Sequence, residues 1–197
     1  MKTINYYDLT AYDKERFFFF LKTEYKEDDA PARVNMYADR WDDKPNTLPY
    51  ILEKTNRFKD SGYFQVLIKD EIVIGCSGAY TSQFSDNICI LGVRTWINKR
   101  FRNMNLVRNI LLPNEKQYAI NRKHKMVILT FNEYNKNLSK IWFRTRLGEH
   151  RTLRKPKHFG YNGINTVDFP VNIQYTKQWV IYEKLDPTFD FNWESIR

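Results

Sequence analysis

Cysteine and glycine are both scarce in this chain of 197 residues, which has 2 Cys and 7 Gly. Because Cys76 and Cys89 fall in successive predicted strands, they have the spacing of neither a disulfide framework nor a metal site. A reduced, intracellular compartment, most simply the cytoplasm, is therefore the expected location. Long apolar runs are missing too. Residues 17–21 are too few to span a membrane and are flanked by charged residues, so we expect no membrane segment and no signal peptide.

Aromatic and basic residues are abundant instead. A content of 42% hydrophobic and 16% aromatic residues can bury a sizeable core, which excludes a disordered chain. The formal net charge of +9 favours an acidic partner: a nucleotide-bearing cofactor, nucleic acid, an acidic protein or a membrane surface. The many Asn, Lys, Tyr, Ile and Phe residues are typical of an AT-rich genome, as in a virus or a low-GC bacterium. On composition alone, a virion or host-takeover component in an infected cell is a further hypothesis.

The length fits one domain over residues 1–197, and we expect its core at 63–185 and a tail at 186–197. The predicted helices cover residues 14–24, 47–61, 106–121 and 135–146. The predicted strands cover residues 63–69, 72–80, 88–93, 126–131, 166–169 and 178–185. Asp70 and Glu71 form a tight turn between the first two strands, and Pro113 should kink or split the third helix.

The most informative stretch is the basic turn that joins the strand at 88–93 to the helix at 106–121. The order of strand, polar turn and helix leaves unpaired backbone N–H groups at a helix N-terminus, where an anion can bind. Lys99, Arg100 and Arg102 add positive charge to this turn. The stretch therefore predicts an anion site.

The order of elements resembles that of the GCN5-related N-acetyltransferase (GNAT) superfamily, over roughly residues 63–147. Members have an aromatic residue and the pattern Arg/Gln-x-x-Gly-x-Gly/Ala after the fourth strand. Phe101 and Arg102 match this pattern, whereas Asn105 and Val107 stand where small residues are expected.

A second family pattern is Asn, Ala three residues later, Tyr four residues after that, and then Gly-Phe. Asn135, Leu138 and Trp142 occupy the first three places, and Arg146 with Leu147 replaces Gly-Phe. The Tyr of this pattern often gives a proton to the departing thiolate. An indole N–H donates a hydrogen bond but is no acid near neutral pH, so Trp142 does not supply that proton.

The resemblance implies an α+β fold with a mixed, mostly antiparallel sheet of about six to seven strands flanked by helices. It implies an acyl-CoA-dependent N-acyltransferase, most simply an N-acetyltransferase that uses acetyl-CoA as cosubstrate. The acceptor amine stays open, and a protein is one candidate. The residues implied in cofactor binding are Leu91, Val93, Thr95, Phe101, Arg102, Asn103, Met104, Asn105, Leu106, Val107 and Asn135.

Within this implied site, pantetheine pairs with the backbone of the fourth strand and the diphosphate lies on the N–H groups of the turn. Asn105 tolerates left-handed backbone better than other non-glycine residues, so a phosphate cradle is still possible there. Val107 lacks that freedom and could crowd the cofactor. Tyr134, just beyond the strand at 126–131, is the candidate catalytic residue; its plainer interpretation is a half-buried loop aromatic.

The alternative function is a catalytically degenerate binding protein on the same scaffold. The basic segment at 144–158 would contact nucleic acid or an acidic protein, or it is simply a solvated loop. No metal site is expected. Cys89 is expected in the core and His124 on the surface. Gly75 and Gly78 predict a bulge or a close approach of backbone.

Overall fold

The computed structural model describes residues 1–24, 48–54, 57–82, 85–132 and 178–192. In this part of the chain, six strands form one sheet in the order β1 to β6. The strands are β1 (Lys2–Asn5), β2 (Gly62–Lys69), β3 (Ile72–Ser82), β4 (Ser85–Ile97), β5 (Met126–Asn132) and β6 (Gln178–Lys184). The helices are α1 (Ala11–Glu24), α2 (Leu48–Lys54), α3 (Arg57–Asp60) and α4 (Leu112–Asn121). Two 3₁₀ helices (Tyr6–Asp8 and Lys99–Met104) and a π-helix (Val107–Leu111) complete the described elements.

The sheet is mixed, as predicted. β1 pairs antiparallel with β2, β2 with β3, and β5 with β6. β4 and β5 are parallel, from Ile88 opposite Met126 to Leu91 opposite Leu129. A parallel pair needs a long crossover, and α4 supplies it. The predicted α+β class is confirmed.

The chain divides into two compact units. The first comprises Met1–Tyr80 and Val93–Asn114, and the second comprises Thr81–Gly92 and Glu115–Arg197. On one side of β2 in the first unit, the buried ring of Phe64 packs against Phe17 and Phe58, with ring centroids 6.1 and 5.0 Å away. A second cluster contains Leu67, Ile74, Ile97, Leu106 and Leu111.

Two glycines of β3 make room for these clusters. A Cβ at Gly78 would lie 2.6 Å from both the Phe58 and Phe64 rings, and one at Gly75 would lie 2.5 Å from Ile97 Cδ1. The pairing of β2 with β3 also shifts register next to Gly75. The predicted bulge or close approach of backbone is confirmed at Gly75, whereas the close neighbours of Gly78 are side-chain rings.

The core of the second unit is formed by apolar residues of β4, β5 and α4. Its buried members include Ile88, Cys89, Ile90, Leu91, Ala119, Met126, Val127, Ile128 and Leu129. Lys125 Nζ lies 5.9 Å from the centroid of the half-buried Phe189 ring, so the start of the predicted tail packs back on this unit.

Several boundaries differ from the prediction. β1 was not predicted, because four residues of mixed polarity carry no clear alternation. α1 begins at Ala11, because Thr10 Oγ1 accepts the Asp13 N–H at 3.1 Å as an N-cap. Of the predicted helix at 47–61, the structure describes α2 and α3, which lie on either side of residues 55–56. The helix is not split at Pro113: the π-helix ends at Leu111 and continues directly into α4, which contains the proline.

The predicted helix at 135–146 and strand at 166–169 lie outside the described residues. Within the described ranges, no helix is long and apolar enough to cross a membrane.

Candidate functional site

β4 carries two residues in left-handed backbone shortly after its pairing with β5 ends at Leu91. Gly92 has φ 70° and Arg94 has φ 59°. Such residues inside a strand are typical of a β-bulge, which leaves a residue outside the regular ladder. Left-handed backbone costs a non-glycine residue about 1–2 kcal/mol, so the surrounding structure must hold Arg94 in place.

From Val93 to Trp96, the residues of β4 alternate in burial. Arg94 and Trp96 are buried, at 7% and 3% exposure, while Val93 and Thr95 are half-buried. The Thr95 hydroxyl lies 2.6 Å from the Ser77 hydroxyl on β3, so its position is fixed.

The basic loop, residues 98–105, is fixed at its start by Asn98. The Asn98 backbone N–H donates to the Ile74 carbonyl at 2.9 Å, and its side-chain Oδ1 accepts the Arg100 N–H at 3.0 Å. Its side-chain amide donates to Glu24 Oε1 at 2.7 Å. Three separate bonds therefore set the direction in which the chain leaves β4.

Arg102 lies against the end of β4. Its Nε donates to the Ile97 carbonyl at 3.1 Å, and its guanidinium carbon is 5.0 Å from the Trp96 ring centroid. Because this bond uses one of five N–H donors and the residue remains exposed, other donors are accessible to an anion.

Asn105 turns the loop into the helix with φ 52° and ψ 30°, in the left-handed region that its residue type tolerates. Its carbonyl accepts the Asn109 N–H at 2.9 Å, which begins the helical run. The N–H groups just before Asn109 consequently have no acceptor within the helix. Arg100 and Arg108 are exposed, and neither has an ionic partner among the described residues.

The Val107 side chain packs with Phe101 and Ile110 against the second cluster. The half-buried Val107 side chain therefore turns toward the core.

Gln65, which is buried on β2, bonds to the end of the π-helix and to the first turn of α4. Its Nε2 donates to the Leu111 carbonyl at 2.8 Å, and its Oε1 accepts from Asn114 Nδ2 at 3.1 Å. The junction of a π-helix with an α-helix beside a proline disturbs the helical hydrogen bonds, and Gln65 supplies a donor there.

In the second unit, Glu115 of α4 is completely buried, and its Oε2 accepts the Gly92 N–H at 2.6 Å. Burial raises the pKa of the Cys89 thiol far above its usual value, and the charge of Glu115 raises it further. Cys89 is therefore an inert core residue, as predicted.

The prediction that His124 is exposed is wrong. Its ring is buried, with Nε2 2.9 Å from the Thr81 hydroxyl and Nδ1 3.2 Å from the Ala119 carbonyl oxygen. The residue lies within the basic stretch at 122–125, and these two partners hold its ring inside the protein. Among the described residues, no group of three His, Cys, Asp or Glu side chains could hold a metal ion.

Other predicted site residues lie outside the described ranges. Tyr134, Asn135, Trp142 and the basic segment at 144–158 are among them, so their roles stay predictions. Sequence reasoning missed Gln65 and Glu115. A signal for Glu115 was present, since it lies four residues from both Leu111 and Ala119 on the apolar face of the helix.

Comparison with known proteins gives a match by structure only. No protein-family description and no curated protein sequence matches the chain. A GNAT-family acetyltransferase from Staphylococcus aureus has a TM-score of 0.57 at 18% identity, over 94% of this chain and 99% of that one. The PaiA N-acetyltransferase from Thermoplasma acidophilum, solved with coenzyme A, has a TM-score of 0.57 at 12% identity, over 93% and 99%. The ribosomal-protein-alanine N-acetyltransferase from Brucella melitensis has a TM-score of 0.60 at 14% identity, over 94% and 100%.

These structures are similar to a chain whose mixed sheet has a parallel β4 and β5 joined by a helix, with two left-handed residues in β4. At identities this low, the similarity defines the fold alone. The chain has the fold of the GNAT acetyltransferases.

Proposed function

We propose that the protein is an N-acetyltransferase that transfers the acetyl group of acetyl-CoA to an amine. One observation carries the proposal: on this fold, the left-handed pair Gly92 and Arg94 of β4 leads into a basic loop that ends at left-handed Asn105. The PaiA enzyme with the same fold was solved with coenzyme A, which supports the choice of cosubstrate.

The loop and the helix start fit a diphosphate. Backbone N–H groups before Asn109 and the positive end of the helix dipole favour an anion there. Arg100 and Arg108 are exposed and Arg102 is held against Trp96, so guanidinium groups can pair with phosphate oxygens. Asn105 replaces the usual glycine without leaving the left-handed region.

The end of β4 fits the pantetheine arm. An amide-bearing chain can pair with a strand edge as an added strand does, through main-chain hydrogen bonds. β4 continues from Gly92 to Ile97 beyond its last pair with β5, and the half-buried Val93 and Thr95 lie in this segment.

The reaction itself is an acyl transfer. The acceptor nitrogen attacks the thioester carbonyl, a C–N bond forms as the C–S bond breaks, and the leaving thiolate takes up a proton. From Gly92 to Ile97, β4 has no carboxylate that could act as a base. Tyr134, two residues beyond the end of β5, remains the candidate catalytic residue.

The acceptor class to test first is a protein amine. The Brucella enzyme with this fold is named for a ribosomal-protein alanine, and the net charge of +9 disfavours a polyamine.

The test is a calorimetric titration of the protein with acetyl-CoA, with desulfo-coenzyme A as a non-acylating comparison. We expect one site per chain and a rise in melting temperature with ligand concentration. No heat and no rise at millimolar acetyl-CoA would contradict the proposal. Salt-sensitive binding of RNA or DNA in that case would favour the alternative of a nucleic-acid-binding protein.

A further inference from the structure

Glu115 is a fully buried acidic residue that has no part in the chemistry described above. It lies on α4 between Leu111 and Ala119, one turn away on each side, and all three have 0% exposure. Removing a carboxylate from water is costly unless hydrogen bonds compensate it. Its burial on an apolar helix face therefore needs an explanation from its partners.

Gly92 is the partner that connects Glu115 to the proposed site. The Gly92 N–H donates to Glu115 Oε2 at 2.6 Å, which is short even for a bond to a charged acceptor. Gly92 is the first of the two left-handed residues of β4 and directly follows the last β4–β5 pair, Leu91 with Leu129. The bond therefore joins α4 to β4 at the point where the bulge begins.

The influence of Glu115 on β4 extends beyond Gly92. Its charge is the second cause, after burial, that raises the pKa of the Cys89 thiol, three residues earlier on the strand. The carboxylate raises the pKa of Cys89 and accepts the Gly92 N–H. It therefore lies close to β4 where the strand departs from regular pairing.

We infer that Glu115 is a positioning residue for the pantetheine arm of acetyl-CoA: by holding the Gly92 N–H, it fixes the bulged segment of β4 with which that arm pairs. The inference rests on the proposed function. The diphosphate loop has its own anchors, since Asn98 bonds to Glu24 and Arg102 bonds to the Ile97 carbonyl. Loss of Glu115 should consequently affect the two halves of the ligand differently.

The experiment measures two dissociation constants by calorimetry. One ligand is acetyl-CoA, and the other is adenosine 3′-phosphate 5′-diphosphate, which has the phosphates but no pantetheine. The variants are Glu115→Leu, which removes the acceptor, and Glu115→Gln, whose amide oxygen can still accept the Gly92 N–H. Ala119→Gly is the matched control, because it weakens the same buried helix face without touching the bond.

We expect Glu115→Leu to weaken acetyl-CoA binding about tenfold or more, the loss expected for a hydrogen bond to a charged group. Its affinity for the nucleotide should stay within about twofold of the wild type, as should both affinities of Ala119→Gly. Glu115→Gln, whose neutral amide oxygen can keep a weaker bond, should lose less acetyl-CoA affinity than Glu115→Leu. If Glu115→Leu does not fold, Glu115→Asp gives the same test, because its shorter side chain withdraws the carboxylate from Gly92.

Two results would overturn the inference while leaving the proposed function intact. One is acetyl-CoA binding that is unchanged in the leucine and aspartate variants. The other is an equal loss of affinity for both ligands, which indicates general damage. Wild-type protein that binds neither ligand would instead refute the proposed function, and the inference with it.

Discussion

The side-chain amide of Asn98 donates a hydrogen bond to the Glu24 carboxylate at 2.7 Å, which ties the end of α1 to the first residue of the basic loop. The second oxygen of Glu24 is buried and has no hydrogen-bond partner among the described residues. Among the described residues, the Glu24 carboxylate therefore holds the loop through one oxygen only.

Replacing Asn98 should destabilise the protein through this contact. We expect Asn98→Ala to lower the free energy of unfolding by about 1–3 kcal/mol, because it removes a cap and leaves Glu24 unpaired. Urea denaturation measures the change. Asn121→Ala is the control, since Asn121 is exposed and accepts only a surface bond from Gln117, and its cost should be below about 0.5 kcal/mol. Equal losses of unfolding free energy in the two variants would contradict a stabilising role for the contact between Asn98 and Glu24.

Gly92 should not tolerate a side chain. Its φ of 70° is strained for any residue with a Cβ, so Gly92→Ala should cost about 1–2 kcal/mol of stability. Gly62→Ala is a matched control, because Gly62 is not among the residues with positive φ; it should be neutral or slightly stabilising. Thermal unfolding of the two variants side by side distinguishes them, and a neutral Gly92→Ala would argue against the bulge.

The two exposed arginines near the helix start should contribute to binding rather than to stability. We expect the double variant Arg100→Ala and Arg108→Ala to bind acetyl-CoA about tenfold more weakly, because charge-assisted bonds to phosphate are lost. Lys2→Ala with Lys59→Ala removes the same charge from exposed positions on β1 and α3. Calorimetry at two salt concentrations measures both. If the lysine double variant loses the same acetyl-CoA affinity, the effect is due to net charge alone.

Asn105 should be replaceable by glycine but not by a branched residue. Asn105→Gly keeps the left-handed backbone and should preserve or improve acetyl-CoA affinity, whereas Asn105→Val should weaken it, because a β-branched residue with positive φ is an outlier. Titration of both variants with acetyl-CoA gives the comparison. If Asn105→Val binds acetyl-CoA tightly, the basic loop is not part of the binding site.

His124 should make stability depend on pH. Burial lowers its pKa, and this outweighs the hydrogen bond to the Ala119 carbonyl; Arg122 lowers the pKa further and Asp86 raises it. The unfolded chain therefore takes up the proton first, so this stability is complete above about pH 6.5 and is lost as the pH falls toward the folded pKa.

The matching variant is His124→Gln, which cannot titrate. Urea unfolding at about pH 7.5 and about pH 5.5 should show that the wild type loses more stability on acidification than the variant. His150 and His158 are present in both proteins, so the difference isolates His124. If the wild type and the variant lose the same stability on acidification, the buried His124 ring is not the source of the pH dependence.

Local patterns were sufficient for much of the fold. β2, β3 and β5 are apolar runs bounded by turn residues, and Asp70 with Glu71 adopts the left-handed turn expected between β2 and β3. The residue type of Asn105 indicated its backbone conformation, because few other side chains tolerate that region.

The contacts that position the site were not predictable in the same way. Glu115 meets Gly92 across 23 residues of sequence, and Gln65 meets Leu111 across 46. No local spacing encodes such pairs, since they depend on how α4 and the π-helix lie on the strands. The prediction that His124 is exposed was wrong for the same reason. Its basic neighbours suggest exposure, whereas its partners Thr81 and Ala119 bury it.

The π-helix at Val107–Leu111 also sets the rotation of α4 about its axis. The Leu112 N–H donates to the Val107 carbonyl, five residues back, so this turn contains one residue more than an α-helical turn. Each residue rotates the helix by about 100° about its axis. Without the extra residue, a neighbour of Glu115 would therefore face β4 in its place. An ungapped alignment with a relative that has a regular helix here is therefore displaced by one residue beyond Leu111.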